Sequence, residues 1–352
     1  MTMTQNKSDS KITYADSGVD VKAGEEAVNR IKSLAASTFN SQVLQGLGGF
    51  GGFFQPDISN IKNPVLLSST DSVGTKLKVA FMTNKHNTIG QCLVNHCIND
   101  ILVHAAKPMF FLDYIGVGKL HQNTIAEILE GLALACKQNN TALIGGEMAE
   151  LPEFYNDGEY DLVGFVVGMV DKDKIVNGST IKEGDVCLGL PSTGLHTNGY
   201  TLARKAAFEI GGLKPTDHVD QLGMTIGDAL LSVHKCYSAT VHPLLEKYDI
   251  HGMAHITGGG IPGNLKRVLP DNLTAVIEKN SWGEVNPIFN LLQELGNIDP
   301  VDIYSAFNMG IGYILVVDKN DADAISADIK ATGEDVYTIG TIVGGDKTVK
   351  LV

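Results

Sequence analysis

Leu66-Leu67-Ser68-Ser69-Thr70-Asp71-Ser72-Val73-Gly74-Thr75-Lys76 opens as an apolar strand and passes into an acid, a turn of small residues, a hydroxyl and a lysine. That order suits polyphosphate chemistry. A carboxylate at Asp71 holds Mg2+, the bare backbone at Gly74 and Thr75 approaches phosphate oxygens, and the Lys76 ammonium meets the remaining charge. By itself D-x-x-G-T-K is a short pattern, and a solvated turn after a buried strand reads the same way. Its weight comes from what surrounds it.

The strand at 65–69 begins a mixed series. Residues 88–105 have helical spacing and stop before Pro108. A strand at 110–117, a helix at 123–138 and a strand at 141–144 follow, the last ending at Gly145-Gly146-Glu147. Residues 160–171 form a longer, nearly continuous apolar strand. Upstream, 1–20 are polar, and 23–36 carry Ala27, Ile31, Leu34 and Ala35 on one helical side. The charged, turn-rich stretch 172–184 marks the boundary between an N-terminal domain, 1–172, and a C-terminal domain, 173–352. The second half predicts strands at 186–190, 274–278, 311–317 and 336–343, with helices at 199–210, 229–248, 287–295 and 321–332. Strands and helices mixed in both halves give an α+β fold of two α/β domains.

Composition narrows the partners. Hydrophobic residues at 43% and charged residues at 19% belong to an ordinary globule with a sizeable core. Two domains suit 352 residues. Forty acids against 27 bases leave a net charge of −13, which excludes nucleic acid as the main partner but not a nucleotide screened by a divalent ion. Five scattered cysteines without a C-x-x-C pair predict reduced thiols and a cytoplasmic protein. The polar start lacks an apolar signal core, and no apolar run reaches a membrane span.

Three acids in the first half have the right contexts for one Mg2+ site: Asp71, Asp100 in Asn99-Asp100, and Glu147. Hard oxygen ligands completed by water and phosphate are what Mg2+ prefers. Gln45-Gly46-Leu47-Gly48-Gly49-Phe50-Gly51-Gly52 fits a flexible loop, or a lid whose backbone at Gly48, Gly49 and Gly51 closes on a nucleotide. It matches neither a P-loop nor a Rossmann fingerprint. Lys32, one helix earlier, is in reach of the same region. In the second half, Pro191-Ser192-Thr193-Gly194-Leu195-His196-Thr197-Asn198-Gly199-Tyr200 joins a strand to a helix and offers N–H donors, an imidazole and a carboxamide to a phosphate. His255-Ile256-Thr257-Gly258-Gly259-Gly260 is a second candidate anion cradle, and a tight turn would look alike.

Taken together in this order, these segments resemble the phosphoribosylformylglycinamidine cyclo-ligase (aminoimidazole ribonucleotide synthetase) family. The resemblance runs from Ser17-Gly18-Val19-Asp20 through Phe110-Phe111-Leu112-Asp113-Tyr114 to Phe307-Asn308-Met309-Gly310-Ile311-Gly312. Departures are few: Ser69 and Ser72 stand where glycine is usual, Met148 replaces threonine, Gly263 an acid and Lys266 a proline. The resemblance implies a homodimer whose N-terminal sheets pair into a barrel, with ATP near that interface. It implies ATP-dependent closure of formylglycinamidine ribonucleotide to aminoimidazole ribonucleotide, with Mg2+ and ATP at Asp71, Asp100, Glu147 and Lys76. Lys76, Asp100 and His196 then act in catalysis, while His196, Thr197, Asn198 and Thr257 to Gly260 hold the ribonucleotide. Other members of the superfamily fit less well. Selenophosphate synthetase carries a reactive Cys or Sec near its N-terminus, whereas no cysteine precedes Cys92 here. Thiamine-monophosphate kinase is not expected to carry the His196 loop. A non-catalytic nucleotide-binding paralogue would be expected to lack one of the acids.

Overall fold

The computed structural model describes residues 32–352. The Ser17-Gly18-Val19-Asp20 motif and residues 23–31 of the first predicted helix lie outside them.

β1 (Pro64–Ser72), β2 (Lys107–Val117), β3 (Ala142–Glu150) and β4 (Tyr160–Asp171) form a four-stranded sheet in the order β1-β4-β2-β3. The β2–β3 pair is parallel and the others antiparallel. A parallel pair needs a crossover connection, and α3 (Gln122–Gln138) supplies it. α1 (Leu77–Thr83) and α2 (Asn87–Leu102) follow β1. α2 and α3 cross at glycines: a Cβ on Gly90 would stand 2.2 Å from the Ile128 carbonyl oxygen, and one on Gly131 2.4 Å from that of Asn87. Together they cover one face of the sheet, burying Leu93, Ile98, Phe111 and Val166.

The other face is bare. No position of β1 is fully buried, and Leu66 and Phe165 are 65% and 38% exposed. Register puts Val163, Val167, Phe110 and Leu112 on this same side, all only partly covered.

The second sheet contains β5 (Val186–Pro191), β6 (Ile250–His255), β7 (Leu273–Ile277), β8 (Ile311–Val317), β9 (Tyr337–Gly344) and β10 (Thr348–Leu351). Its order is β10-β7-β9-β5-β8-β6, antiparallel except between β7 and β10. α4 (Ser238–Lys247) and α6 (Ala322–Ala331) share a core cluster with β5, β6 and β8. α5 (Pro287–Gly296) belongs to the cluster of the first sheet's helices: Leu77, Leu93 and Ile128 pack in one core with Tyr200, Leu230 and Phe289. The two halves are therefore docked through shared apolar burial.

Several boundaries differ from the sequence reading, each for a local reason. β1 continues to Ser72, opposite Val163, so Asp71 lies on a strand and not in a turn, and Ser72 needs no positive φ. β3 runs on through Glu147 to Glu150 because β2 pairs with it throughout. The helix expected over 229–248 is broken into Ile226–Leu230 and α4. Asn95 and Asn99 of α2 capture the His234 and Lys235 carbonyls at 2.7 and 2.8 Å, and Asn99 accepts from the Tyr237 N–H. Those side-chain bonds replace helical ones, and residues 231–237 cross between the halves. β6 and β10 are strands that sequence spacing did not reveal.

Among the described residues no helix is long and apolar enough to cross a membrane, and all five cysteines are free.

Candidate active site

The site grows from two periodicities. Ser69 and Asp71 are two apart on β1, so both face α2; His96 and Asp100 are four apart on α2, so both face β1. His96 Nε2 stands 2.8 Å from Asp71 Oδ2 and 3.9 Å from Asp100 Oδ2. The Ser69 hydroxyl donates to Asp100 Oδ2 at 3.1 Å. From the second half, His255 at the end of β6 brings Nδ1 to 2.9 Å from Asp100 Oδ1. Asp71 and Asp100 stay partly open, with side chains 38% and 28% exposed.

Behind the acids the histidines form a continuous chain. His96 Nδ1 meets the Thr197 hydroxyl at 2.6 Å, and that hydroxyl meets His234 Nδ1 at 3.2 Å. His234 Nε2 then meets His255 Nε2 at 3.0 Å. From Asp71 to Asp100 the path has five hydrogen bonds. Each needs its own proton. Three neutral imidazoles and one hydroxyl supply four, so with both carboxylates accepting, the chain holds one proton more and one imidazole is cationic. His96 is its best seat. Burial opposes its charge, but the Asp71 hydrogen bond and the Asp100 and Asp71 charges prevail and raise its pKa. Burial lowers His255 and His234. Burial also works to raise Asp100, yet the His255 hydrogen bond, with His96 and Ser69, holds it below the ordinary carboxylate range.

Lys76 corrects an expectation. Its ammonium is not at the surface where it would meet a phosphate. The 3-10 turn Gly74–Lys76 aims the side chain inward, where it is fully buried. Nζ donates to the Ser232 carbonyl at 2.6 Å, the His196 carbonyl at 2.8 Å and Cys92 Sγ at 3.2 Å. Burial lowers its pKa, and Cys92 works against that shift. Gly74 and Thr75 remain at the surface, with the Thr75 hydroxyl 3.0 Å from that of Thr201.

His196 sits in the left-handed region at φ 62°. Gly312 makes room for its ring, since a Cβ there would lie 2.5 Å from His196 Cε1. The ring stacks on His234 with centroids 4.1 Å apart. Nε2 accepts from the Thr193 N–H at 3.3 Å, and Nδ1 is buried with no partner. Burial keeps this imidazole neutral. Asn308 braces the loop by donating to the Gly194 carbonyl and accepting from Ser192 and the Gly310 N–H, each at 2.9 Å. Gly258 and Gly259 are exposed beside Asn198, whose Oδ1 lies 3.3 Å from where a Gly258 Cβ would stand. Asn264 holds the turn by donating to the Thr257, Gly258 and Gly260 carbonyls. The two loops expected at the ribonucleotide thus lie side by side.

Within one chain the remaining residues stand apart. Register aligns Asp71 with Gly164, Asp113 and Gly146. Glu147 therefore lies three strands from Asp71, about 14 Å at the usual spacing, and it shares the opposite face with Tyr114. The expected convergence of all three acids does not form in a single chain. The glycine loop is on Glu147's side: Gly52 packs against Ile144, and Gly48 lies beside the Lys32 side chain. Gly48, Gly49 and Gly51 are exposed. His96 and His234 escaped the sequence reading. The four-residue spacing of His96 and Asp100 on an apolar helix was a usable signal; His234 had none, because only the broken helix delivers it.

Known proteins share this chain's sequence and fold. Residues 58–170 match the model "AIR synthase related protein, N-terminal domain", and 182–352 match its C-terminal counterpart. A phosphoribosylformylglycinamidine cyclo-ligase of Alkaliphilus oremlandii is 48% identical over 341 residues, covering 97% of this chain and all of that protein. The chain belongs to the phosphoribosylformylglycinamidine cyclo-ligase family. One from Thermoanaerobacter sp. strain X514 is 49% identical, covering 94% of this chain and 98% of its own. The fold is also that of thiamine-monophosphate kinase from Stenotrophomonas maltophilia, with TM-score 0.70 at 16% identity over 92% of this chain and 95% of that one. Escherichia coli HypE gives 0.65 at 16% identity over 92% and 93%.

Lys76→Met should lower the unfolding free energy by about 2–4 kcal/mol, since two buried carbonyls lose a charged donor. Denaturant titration checks it. Unchanged stability with lost ATP affinity would return Lys76 to the phosphates.

Proposed function

We infer that this enzyme closes formylglycinamidine ribonucleotide to aminoimidazole ribonucleotide at the expense of ATP, releasing ADP and phosphate in purine biosynthesis. Beyond family membership, one observation supports the reading most: the partly open carboxylates of the first half and the His196 loop of the second meet through one hydrogen-bonded chain. A non-catalytic paralogue has no need of that arrangement.

An amide oxygen is a poor leaving group. Its attack on the γ-phosphorus of ATP expels ADP and gives an iminophosphate. The amine of the same molecule then attacks the activated carbon, phosphate departs, and the nitrogen loses a proton. Holding amine and carbon together can be worth roughly 7–11 kcal/mol of barrier. Asp71 and Asp100 offer hard oxygens that suit Mg2+, and when bound the ion offsets polyphosphate charge. Ser69, His96 and His255 fix the orientation of those carboxylates. In this reading Asn198 and the exposed turn at Gly258 and Gly259 grip the ribonucleotide, and neutral His196, whose Nε2 already accepts from the Thr193 N–H, has its Nδ1–H to donate to the formyl or phosphate end.

The homodimer is part of this reading, and the bare apolar face of the first sheet supports it. A two-fold copy that closes a barrel with its β3 edge against β1 brings the partner subunit's glycine loop, Lys32 and Glu147 toward Asp71. That arrangement would gather the nucleotide-binding residues that one chain keeps apart.

Asp71→Asn should abolish ADP formation while the melting temperature stays within a few degrees. His196→Ala should raise the KM for the ribonucleotide with near-normal ATP binding; lost ATP affinity with unchanged ribonucleotide binding would reverse the two assignments. Sedimentation at micromolar concentration should give a dimer, and Phe165→Glu a monomer. A monomeric parent protein removes the shared-site reading.

A further inference from the structure

His234 is completely buried, so it touches neither nucleotide nor ribonucleotide. It nevertheless lies where the two halves of the site join. Nδ1 meets the Thr197 hydroxyl of the ribonucleotide loop at 3.2 Å, and Nε2 meets His255 Nε2, behind Asp100, at 3.0 Å. One ring face stacks on His196, with centroids 4.1 Å apart and planes 19° from parallel. α2 pins the backbone on both sides: the His234 N–H donates to Cys92 Sγ at 3.4 Å, and its carbonyl accepts from Asn95 at 2.7 Å. The ring therefore has one place to stand.

We propose that His234 is a positioning residue for the cyclisation: it fixes the His255 tautomer that aims Asp100, and ties that tautomer to the Thr197 loop. The inference rests on the cleft assigned in the proposed function and deepens it by naming a residue that acts there without reaching it.

Proton direction gives His234 this role. Asp100 is held ionised and can only accept, so His255 turns an Nδ1–H to Oδ1 across 2.9 Å. Burial keeps His255 neutral, which leaves a lone pair on its Nε2. His234 Nε2 faces that lone pair and so carries the proton between them. His234 Nδ1 is then an acceptor and takes the Thr197 hydroxyl proton, while the Thr197 oxygen accepts from His96 Nδ1 at 2.6 Å. Asn99 Nδ2 also approaches His234 Nε2, at 3.3 Å, but its shorter bond runs to the Lys235 carbonyl at 2.8 Å. The partner of one imidazole nitrogen decides which nitrogen bears the proton. Without His234, His255 is free to move its proton to Nε2, and Asp100 Oδ1 then faces a lone pair. Ser69 and His96 both address Oδ2, so the direction of Oδ1 depends on His255. The arrangement leaves Asp71 and Asp100 as the hard oxygens that suit Mg2+.

The test uses the full-length protein with Mg2+, ATP and formylglycinamidine ribonucleotide, and three variants. His234→Gln sets an amide N–H near the place of Nε2 and keeps the bond to His255. His234→Asn sets its oxygen near the place of Nδ1 and keeps only the bond to Thr197. His234→Phe keeps the stack on His196 and neither bond. Loss of hydrogen-bonded support behind a ligand usually costs at least about tenfold, and kcat should fall by that much in His234→Asn and His234→Phe. In His234→Gln kcat should stay near the parent's, with KM for ATP near normal in all three. A merely structural role would not separate Gln from Asn. Ring-nitrogen NMR of the nucleotide-free protein, with His255 identified by its loss in His255→Gln, should show the Nδ1–H tautomer in the parent and in His234→Gln. In His234→Asn the proton should move toward Nε2. A parent His255 that bears a proton on Nε2 would overturn the proposal, and the parent spectrum decides even if a variant fails to fold. An Nδ1–H spectrum with unchanged kcat in His234→Asn would remove this inference alone. Absent ADP formation by the parent would remove the cyclo-ligase reading and this role with it.

Discussion

A buried ammonium fixes the geometry. Lys76 leaves water entirely, and an uncompensated charge in such a place would cost several kcal/mol. The cost is met by carbonyls that belong to the other half of the molecule, those of His196 and Ser232. The lysine therefore locks together the turn after β1, the His196 loop and the segment that carries His234. Removing any one of these leaves a charge or a carbonyl unpaired. The apolar core shared by α2 and the helix at Tyr200–Arg204 gives the bulk of the docking, and Lys76 sets its register.

That register determines the chemistry available. It lets Thr197 reach His96 and His255 reach Asp100, so first-half carboxylates are aimed by second-half side chains. A shift of about 1 Å would break bonds that need 2.6–3.2 Å. The local chain between Asp71 and Asp100 carries one proton more than its neutral groups supply, set against two carboxylates. Asp71 stands at one edge of the first sheet and Glu147 at the other, so a single copy keeps them apart.

Much of this was legible in the sequence. β4 and β8 were read to the residue because both are nearly continuous apolar runs; β8 is buried on both faces, whereas β4 keeps one apolar face bare. Asp71, Asp100, His196 and Asn198 were singled out from their contexts, and the structure brings together the elements that carry them. What failed did so for tertiary reasons. Lys76 looked like a phosphate ligand because nothing local shows that its partners are carbonyls more than a hundred residues away. The helix at 229–248 was a fair reading of periodicity, overruled by two asparagines on α2. Glu147 was grouped with the other acids because spacing alone cannot say which face of a sheet a residue takes.

The central claim is that the carboxylates and the His196 loop serve one cyclisation reaction rather than a kinase reaction on the shared fold. ADP release by the purified protein, measured with formylglycinamidine ribonucleotide and in parallel with thiamine monophosphate, tests it most directly. The account predicts stoichiometric ADP and aminoimidazole ribonucleotide from the first substrate and background ADP with the second. Turnover of thiamine monophosphate, or ADP release from the ribonucleotide without ring closure, would contradict it.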